Sequence, residues 1–166
     1  FSSADGLTFR RMGLRISFVK EPVSVSLLAA MYRASDCGIF PSKGEGWGLP
    51  ILECLASGTP VIAGRWTAMS EYIPENYWPG LMLRNFTKKA AVDNVWFHGD
   101  RGEWYEPSDA ELTETIRMAF QNARAIRRQP EWRGLVTGIR EFTWACSARQ
   151  MEQFLEDVCN LKRSVV

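Results

Sequence analysis

The residues with the clearest capacity for chemistry lie between positions 37 and 63, which read CGIFPSKGEGWGLPILECLASGTPVIA. Three glycines, Gly44, Gly46 and Gly48, follow a short apolar run and lead at once into a helix-forming stretch. Glycine lets a backbone approach a ligand closely. A helix start offers free N–H groups and the positive end of a dipole, a setting that favours phosphate. Glu45 sits inside the loop and Glu53 eight positions later, one turn into the helix. An ionised carboxylate only accepts hydrogen bonds, so it suits sugar hydroxyls rather than phosphate. Two carboxylates flanking a phosphate-binding helix start point to a ligand with a diphosphate between two sugars, a nucleotide sugar.

The elements around this loop predict an α/β fold. Arg15–Val19 alternates and is rich in β-formers, so it reads as a strand ended by Pro22. Ser24 is placed to cap a helix running to about Ala34, with Leu27, Leu28, Met31 and Tyr32 at helical spacing. Cys37–Phe40 reads as a second strand. Leu49–Ser57 is a helix with Pro50 in its first turn and Gly58 just past its end. Thr59–Ala63 is a third strand, Ala68–Ile73 a short helix and Gly80–Leu83 a fourth strand. Strand, helix, strand, helix, strand with short loops argues for a Rossmann-like parallel sheet with flanking helices. Around this core, Leu7–Gly13 reads as a short helix and residues 84–107 as loop with aromatic anchors.

From Ser108 the chain reads as helical to about Arg127, Ser108 and Glu111 forming a capping box and Leu112, Ile116, Met118 and Phe120 the apolar stripe. Thr143 caps a last helix, 144–161. Acids predominate over residues 100–114 and arginines over 117–140. That order suits the helix dipole, and it leaves open a peripheral contact between the arginines and an anionic membrane.

Composition excludes several classes. The 166 residues are 46% hydrophobic and 23% charged, normal for a soluble globular protein. Twenty basic against nineteen acidic residues give a net charge of +1, so nothing points to nucleic acid. No apolar run reaches the roughly 18 residues of a membrane span. Cys37, Cys54, Cys146 and Cys159 form no close pair, which favours buried thiols in a reducing cytoplasm over a metal site. The single histidine, His98, reads as a loop or core residue. The chain starts at Phe1 and its first twenty residues lack the order of a secretory leader, so it reads as a piece of something longer, a single incomplete domain over 1–166.

The residues Pro41-Ser42, Glu45-Gly46-Trp47-Gly48-Leu49-Pro50, Glu53 and Gly58-Thr59-Pro60-Val61 together resemble the E-x7-E signature of retaining GT-B glycosyltransferases, family four (group 1) in particular. Leu27–Asp36 looks like the family's preceding helix, and Glu103–Pro107 and Phe142–Trp144 like its later landmarks. The resemblance runs from about Arg15 to Leu155 and implies the C-terminal, donor-binding half of a GT-B fold without its first strands. It implies that Glu53 holds the ribose hydroxyls and that Glu45, the residue assigned to catalysis, contacts hydroxyls of the transferred sugar without forming a covalent bond. Gly46 and the N–H groups of Trp47, Gly48 and Leu49 would face sugar and diphosphate, and the turn at Val19-Lys20 the base. Trp47 is equally placed for packing or for lining the site, and Lys43 for phosphate or for plain exposure.

The implied reaction transfers a sugar, with retention, from a UDP-, GDP- or ADP-sugar, with no cofactor and no obligatory metal. The acceptor, a glycan, lipid or protein, would be bound by an N-terminal domain outside this chain. Glu21 stands where the family has glycine, and the family's arginine and lysine that neutralise the leaving diphosphate have no counterpart. The chain alone is therefore expected to bind nucleotide weakly and to turn over negligible sugar. A non-catalytic nucleotide-sugar-binding or interaction module on the same scaffold is the alternative.

Overall fold

The computed structural model describes residues 2–3, 8–11, 13–77, 81–92 and 102–164. Its centre is a parallel sheet in the order β4 (Gly38–Phe40), β5 (Val61–Gly64), β6 (Met82–Leu83). Gly38 pairs with Val61 and Phe40 with Ala63, and Ala63 in turn with Met82. The short β4 and the fully buried β5 are joined by helix α2 (Leu49–Ala56), a crossover that parallel pairing requires. Ile51, Leu52, Cys54 and Leu55 face inward from α2 and join Val61, Ile62, Met69, Ile73, Leu81 and Leu83 in the core. The chain is thus α/β, a parallel sheet flanked by helices.

Helix α1 (Val25–Ala34) starts at Ser24, whose hydroxyl accepts the Leu27 N–H at 3.2 Å. It contacts α2, and helix α4 (Pro130–Ile139) contacts α2 as well. Helix α3 (Asp109–Ile126) lies against β6. Thr59 ties the layers together: its buried hydroxyl donates to the Tyr32 carbonyl at 2.6 Å and accepts from the Arg127 guanidinium at 3.0 Å. The last helix, α5 (Trp144–Ser164), starts where expected, with the Thr143 hydroxyl accepting the Cys146 N–H. Among the described residues, no helix is long and apolar enough to cross a membrane.

Several elements differ from the sequence reading. Residues Thr8–Arg11 form a strand (β2) rather than a helix, paired antiparallel with β3 (Leu14–Ser17) and with β1 (Ser2–Ser3). The strand expected at Arg15–Val19 therefore exists, but in a separate antiparallel sheet. Phe9 opposes Ile16 and Thr8 opposes Ser17 in the register, a pairing between separate segments that leaves no mark on a local pattern. Residues expected as loop carry a two-stranded ribbon, β7 (Phe86–Ala90) against β8 (Glu103–Pro107). The expected helix at Ala68–Ile73 is a 3-10 turn over Thr67–Glu71, and α4 is an additional helix. The capping box is half made: Ser108 accepts the Glu111 N–H, but the Glu111 carboxylate accepts from the backbone of Arg84 and Asn85 at 2.8–3.1 Å. The α3 stripe is partly as expected: Leu112 and Met118 pack against the core, but the buried positions are Thr115, Ala119, Ala123 and Ile126, and Phe120 is 91% exposed.

Of the cysteines only Cys54 is fully buried, and Cys159 is exposed. His98 lies outside the described residues. Arg124, Arg127 and Arg140 bind within the fold, to Asp36, to carbonyls at and just past the end of α1 and to the Ala56 carbonyl.

Candidate functional site

The glycine loop leaves β4 at its carboxyl end, the edge at which open α/β sheets bind ligands. Two glycines, one in the loop and one at the end of β5, set its geometry. Gly48 caps α2 at φ 76°, ψ 48°, and a Cβ there would meet the Tyr72 hydroxyl at 2.6 Å. Gly64, at the end of β5, lies under the Trp66 indole, and a Cβ would stand 2.3 Å from that ring. The absence of a side chain lets the indole fold back, and its Nε1–H donates to the Ser42 carbonyl at 2.9 Å.

The segment after β5 holds the loop at three places. Besides Trp66, the Thr67 hydroxyl accepts the Glu45 N–H at 3.1 Å. The Tyr72 hydroxyl donates to the Trp47 carbonyl at 2.9 Å, with the Gly48 carbonyl at 3.3 Å. Burial, and then the Glu45 carboxylate, push the Tyr72 hydroxyl up to about 12, so it stays a donor. Strand β8 holds the other side: the Tyr105 N–H donates to the Lys43 carbonyl at 2.8 Å. The Glu106 carboxylate pairs with Lys43 at 2.8 Å and with Lys89, and these lysines hold it down to about 2.

The site residues read from the sequence fall into three groups. The first is brought together. Ile51 and Leu52 donate to the Gly48 carbonyl, so α2 begins there, and Pro50 has no N–H to offer. The N–H groups of Gly46, Trp47, Gly48 and Leu49 donate to no atom among the described residues. Half-buried Glu45 stands before this helix start and exposed Glu53 one turn inside it, and neither carboxylate is paired among the described residues. Glu53 lies beside α1, where its charge adds to burial in raising the Tyr32 hydroxyl.

The second group has other partners. Lys43 is paired with Glu106 and lies over the Trp104 ring at 4.5 Å. Trp47 does both things the sequence allowed: it packs on Tyr72 and Phe142, at 5.7 and 6.0 Å between centroids, and stays 38% exposed. The third group is not joined to the loop. Val19, 60% exposed, and exposed Lys20 follow the antiparallel sheet, and among the described residues neither makes a hydrogen bond or ion pair with the loop. This departs from a first parallel strand delivering them to the same edge.

The geometry also enlists residues that sequence reasoning passed over: Trp66, Thr67, Tyr72 and Glu106. For the first three the signal was positional, since turns after adjacent parallel strands open at one edge, whereas Glu106 arrives on the antiparallel strand β8. A recess of about 420 Å³, lined by Pro41, Lys43, Glu106, Pro107, Asp109 and Leu112, lies beside the loop. Among the described residues, no cluster of histidine, cysteine or carboxylate side chains is arranged to hold a metal ion. What the arrangement offers is free amide donors for an oxyanion and two separated acceptors for hydroxyls.

Comparison with known proteins gives the same direction. Residues 8–101 match the family model described as glycosyl transferases group 1. Over 143 residues the chain is 31% identical to a D-inositol 3-phosphate glycosyltransferase of Corynebacterium glutamicum (strain R), covering 86% of this chain and 28% of that protein. Over 116 residues it is 35% identical to the lipopolysaccharide core biosynthesis mannosyltransferase LpsB of Rhizobium meliloti (strain 1021), covering 68% of this chain and 32% of the relative. A shorter stretch of 58 residues is 47% identical to D-inositol 3-phosphate glycosyltransferase 2 of Catenulispora acidiphila, 34% of this chain and 13% of that one. The chain thus spans less than a third of the length of these curated relatives. No solved structure matches it significantly.

Proposed function

The chain belongs to the glycosyl transferases group 1 family, and on that premise we propose that it is the donor-binding part of a retaining glycosyltransferase that moves a sugar from a nucleoside-diphosphate sugar to an acceptor. The observation that carries this reading is the start of α2, where unpaired amides lie between two unpaired carboxylates. The relatives' names differ, one a D-inositol 3-phosphate glycosyltransferase and one a mannosyltransferase of lipopolysaccharide core biosynthesis, so the acceptor class stays general: glycan, lipid, protein or small polyol phosphate. The chain's short share of those relatives supports an acceptor site in a further domain.

In this reading the departing diphosphate gathers charge as the glycosidic bond breaks. Amides fixed before the reaction stabilise such charge without reorganisation, and those of Trp47, Gly48 and Leu49 are fixed by the Gly48 cap and the Tyr72 hydroxyl. Glu53, riding on a helix with buried neighbours on both sides, accepts from the ribose hydroxyls. Glu45 accepts from hydroxyls of the transferred sugar. The donor is the only small molecule required, and no cofactor enters the scheme.

Titration of this chain with UDP, GDP and ADP tests the reading. One nucleotide should bind, and Glu53→Gln should weaken it by about 10- to 150-fold, the loss of a charged hydrogen-bond acceptor worth roughly 1.5–3 kcal/mol. An unchanged affinity in Glu53→Gln would remove the ribose assignment, and absence of binding by all three would remove the donor reading.

A further inference from the structure

We propose that Thr67 is a positioning residue for Glu45: a strained threonine that fixes the direction of the sugar-facing carboxylate and so sets selectivity for the nucleotide sugar over the bare nucleotide. The inference rests on the donor reading above. Among the described residues, Thr67 is the one non-glycine residue at positive φ, at 55°. A β-branched side chain in that region is a genuine outlier, and such strain persists where surrounding structure over-determines it, typically at ligand sites.

The threonine hydroxyl is fully engaged. Its oxygen accepts the Glu45 N–H at 3.1 Å, and its proton points to the sulfur of buried Met69 at 3.7 Å. The Thr67 carbonyl accepts from the Ser70 hydroxyl at 2.8 Å, which closes the turn behind it. The Thr67 methyl group lies 3.9 Å from the point where a Cβ on Gly44 would stand, so the side chain also underlies the residue before Glu45.

As stabilisation alone this is a poor choice of residue. Glycine would take the same turn without strain, and the Glu45 N–H is exposed, so water would satisfy it equally. The gain is positional. The other two ties from this segment end on carbonyls, those of Ser42 and Trp47. Only the Thr67 tie grips the Glu45 peptide itself, from whose Cα the carboxylate projects.

The test uses this chain and three paired probes, UDP with UDP-glucose, GDP with GDP-mannose and ADP with ADP-glucose, by titration calorimetry, with amide exchange of Glu45 followed by NMR. Thr67→Val keeps shape and strain but removes the acceptor. It should lower the affinity for the nucleotide sugar by about 2- to 10-fold relative to the nucleotide and speed Glu45 amide exchange. Thr67→Ser should restore both. Thr67→Gly should raise the thermal midpoint while losing the same selectivity, a split that a merely structural residue would not give. The inference is overturned if Thr67→Val leaves either the affinity ratio or the exchange rate unchanged, or if Thr67→Gly lowers the thermal midpoint. If nucleotides bind and respond to Glu53→Gln while the Thr67 variants keep the ratio, this inference alone falls. If no probe binds the parent chain, it falls together with the donor reading.

Discussion

Replacing Gly48 by alanine puts the local geometry of the site to a quantitative test. Gly48 is held at φ 76°, and left-handed backbone costs a non-glycine residue roughly 1–2 kcal/mol. The added Cβ would also stand 2.6 Å from the Tyr72 hydroxyl and 3.3 Å from the Ile51 side chain. The hydroxyl must move, and it then gives up its bond to the Trp47 carbonyl, worth about 0.5–1.5 kcal/mol net, with a further penalty for a buried donor left unsatisfied. Together these predict about 2–4 kcal/mol of destabilisation, a fall in melting temperature of roughly 5–15 °C for a chain of this size. Gly46→Ala is the control: no atom lies within 4 Å of its added Cβ, so the change should stay within about 0.5 kcal/mol. Chemical denaturation of Gly48→Ala, Tyr72→Phe and the double variant completes a cycle. Removing the hydroxyl makes room for the methyl group, so the double variant should cost less than the sum, with coupling on the order of 0.5–3 kcal/mol. Equal stability of Gly48→Ala and Gly46→Ala, or strict additivity with Tyr72→Phe, would refute the reasoning.

Two further outcomes follow from the titrating groups. Lys43 and Lys89 hold Glu106 at about 2, below its ordinary 4.5; a lowered carboxyl value stabilises the fold above the ordinary value and is lost as pH falls from about 4.5 towards 2. Thermal midpoints measured across that window should fall more steeply for the parent chain than for Glu106→Gln, and equal slopes would show that the Lys43–Glu106–Lys89 cluster adds nothing to stability. Burial pushes the Cys37 thiol to about 11 and the Cys54 thiol to about 12, so at neutral pH both lack the thiolate that reacts. Iodoacetamide with peptide mapping should label exposed Cys159 first and Cys37 and Cys54 only after denaturation; early labelling of Cys54 would contradict the packing of α2 on β5.

The sequence pattern carried the βαβ centre well because each of its signals is local. Ser24 before an apolar repeat, Pro50 and Gly58 at opposite ends of α2, and the all-apolar Val61–Ala63 run each act within a few residues, and each appears where expected. What failed depends on partners far along the chain. Thr8–Arg11 becomes a strand because Leu14–Ser17 lies opposite, and Phe86–Ala90 because Glu103–Pro107 does. The α3 stripe was right at Leu112 and Met118 and wrong at Ile116 and Phe120 for a related reason. Large apolar side chains suggested the inward face, whereas small Ala119 and Ala123 are what fit against the sheet, leaving Phe120 outside.

The same division runs through the site and bears on how it would work. The placement of Glu53 has a local origin: it stands between buried Leu52 and Cys54 on a helix whose start is fixed by Gly48. Glu45 was legible as a residue, but its position is borrowed. The loop has no core residue before Gly48, and its backbone is held from outside by Trp66, Thr67 and Tyr72 after β5 and by Tyr105 on β8. No spacing within residues 42–48 encodes those ties. In the proposed reading the two carboxylates serve opposite ends of one donor. Recognition of the nucleoside then rests on helix packing, whereas recognition of the sugar rests on a peptide fixed by side chains some twenty residues away. Binding of the nucleotide can therefore survive changes after β5 that spoil selection of the sugar, and the segment 64–72, which carries none of the motif, is where sugar selectivity is structurally most exposed to substitution.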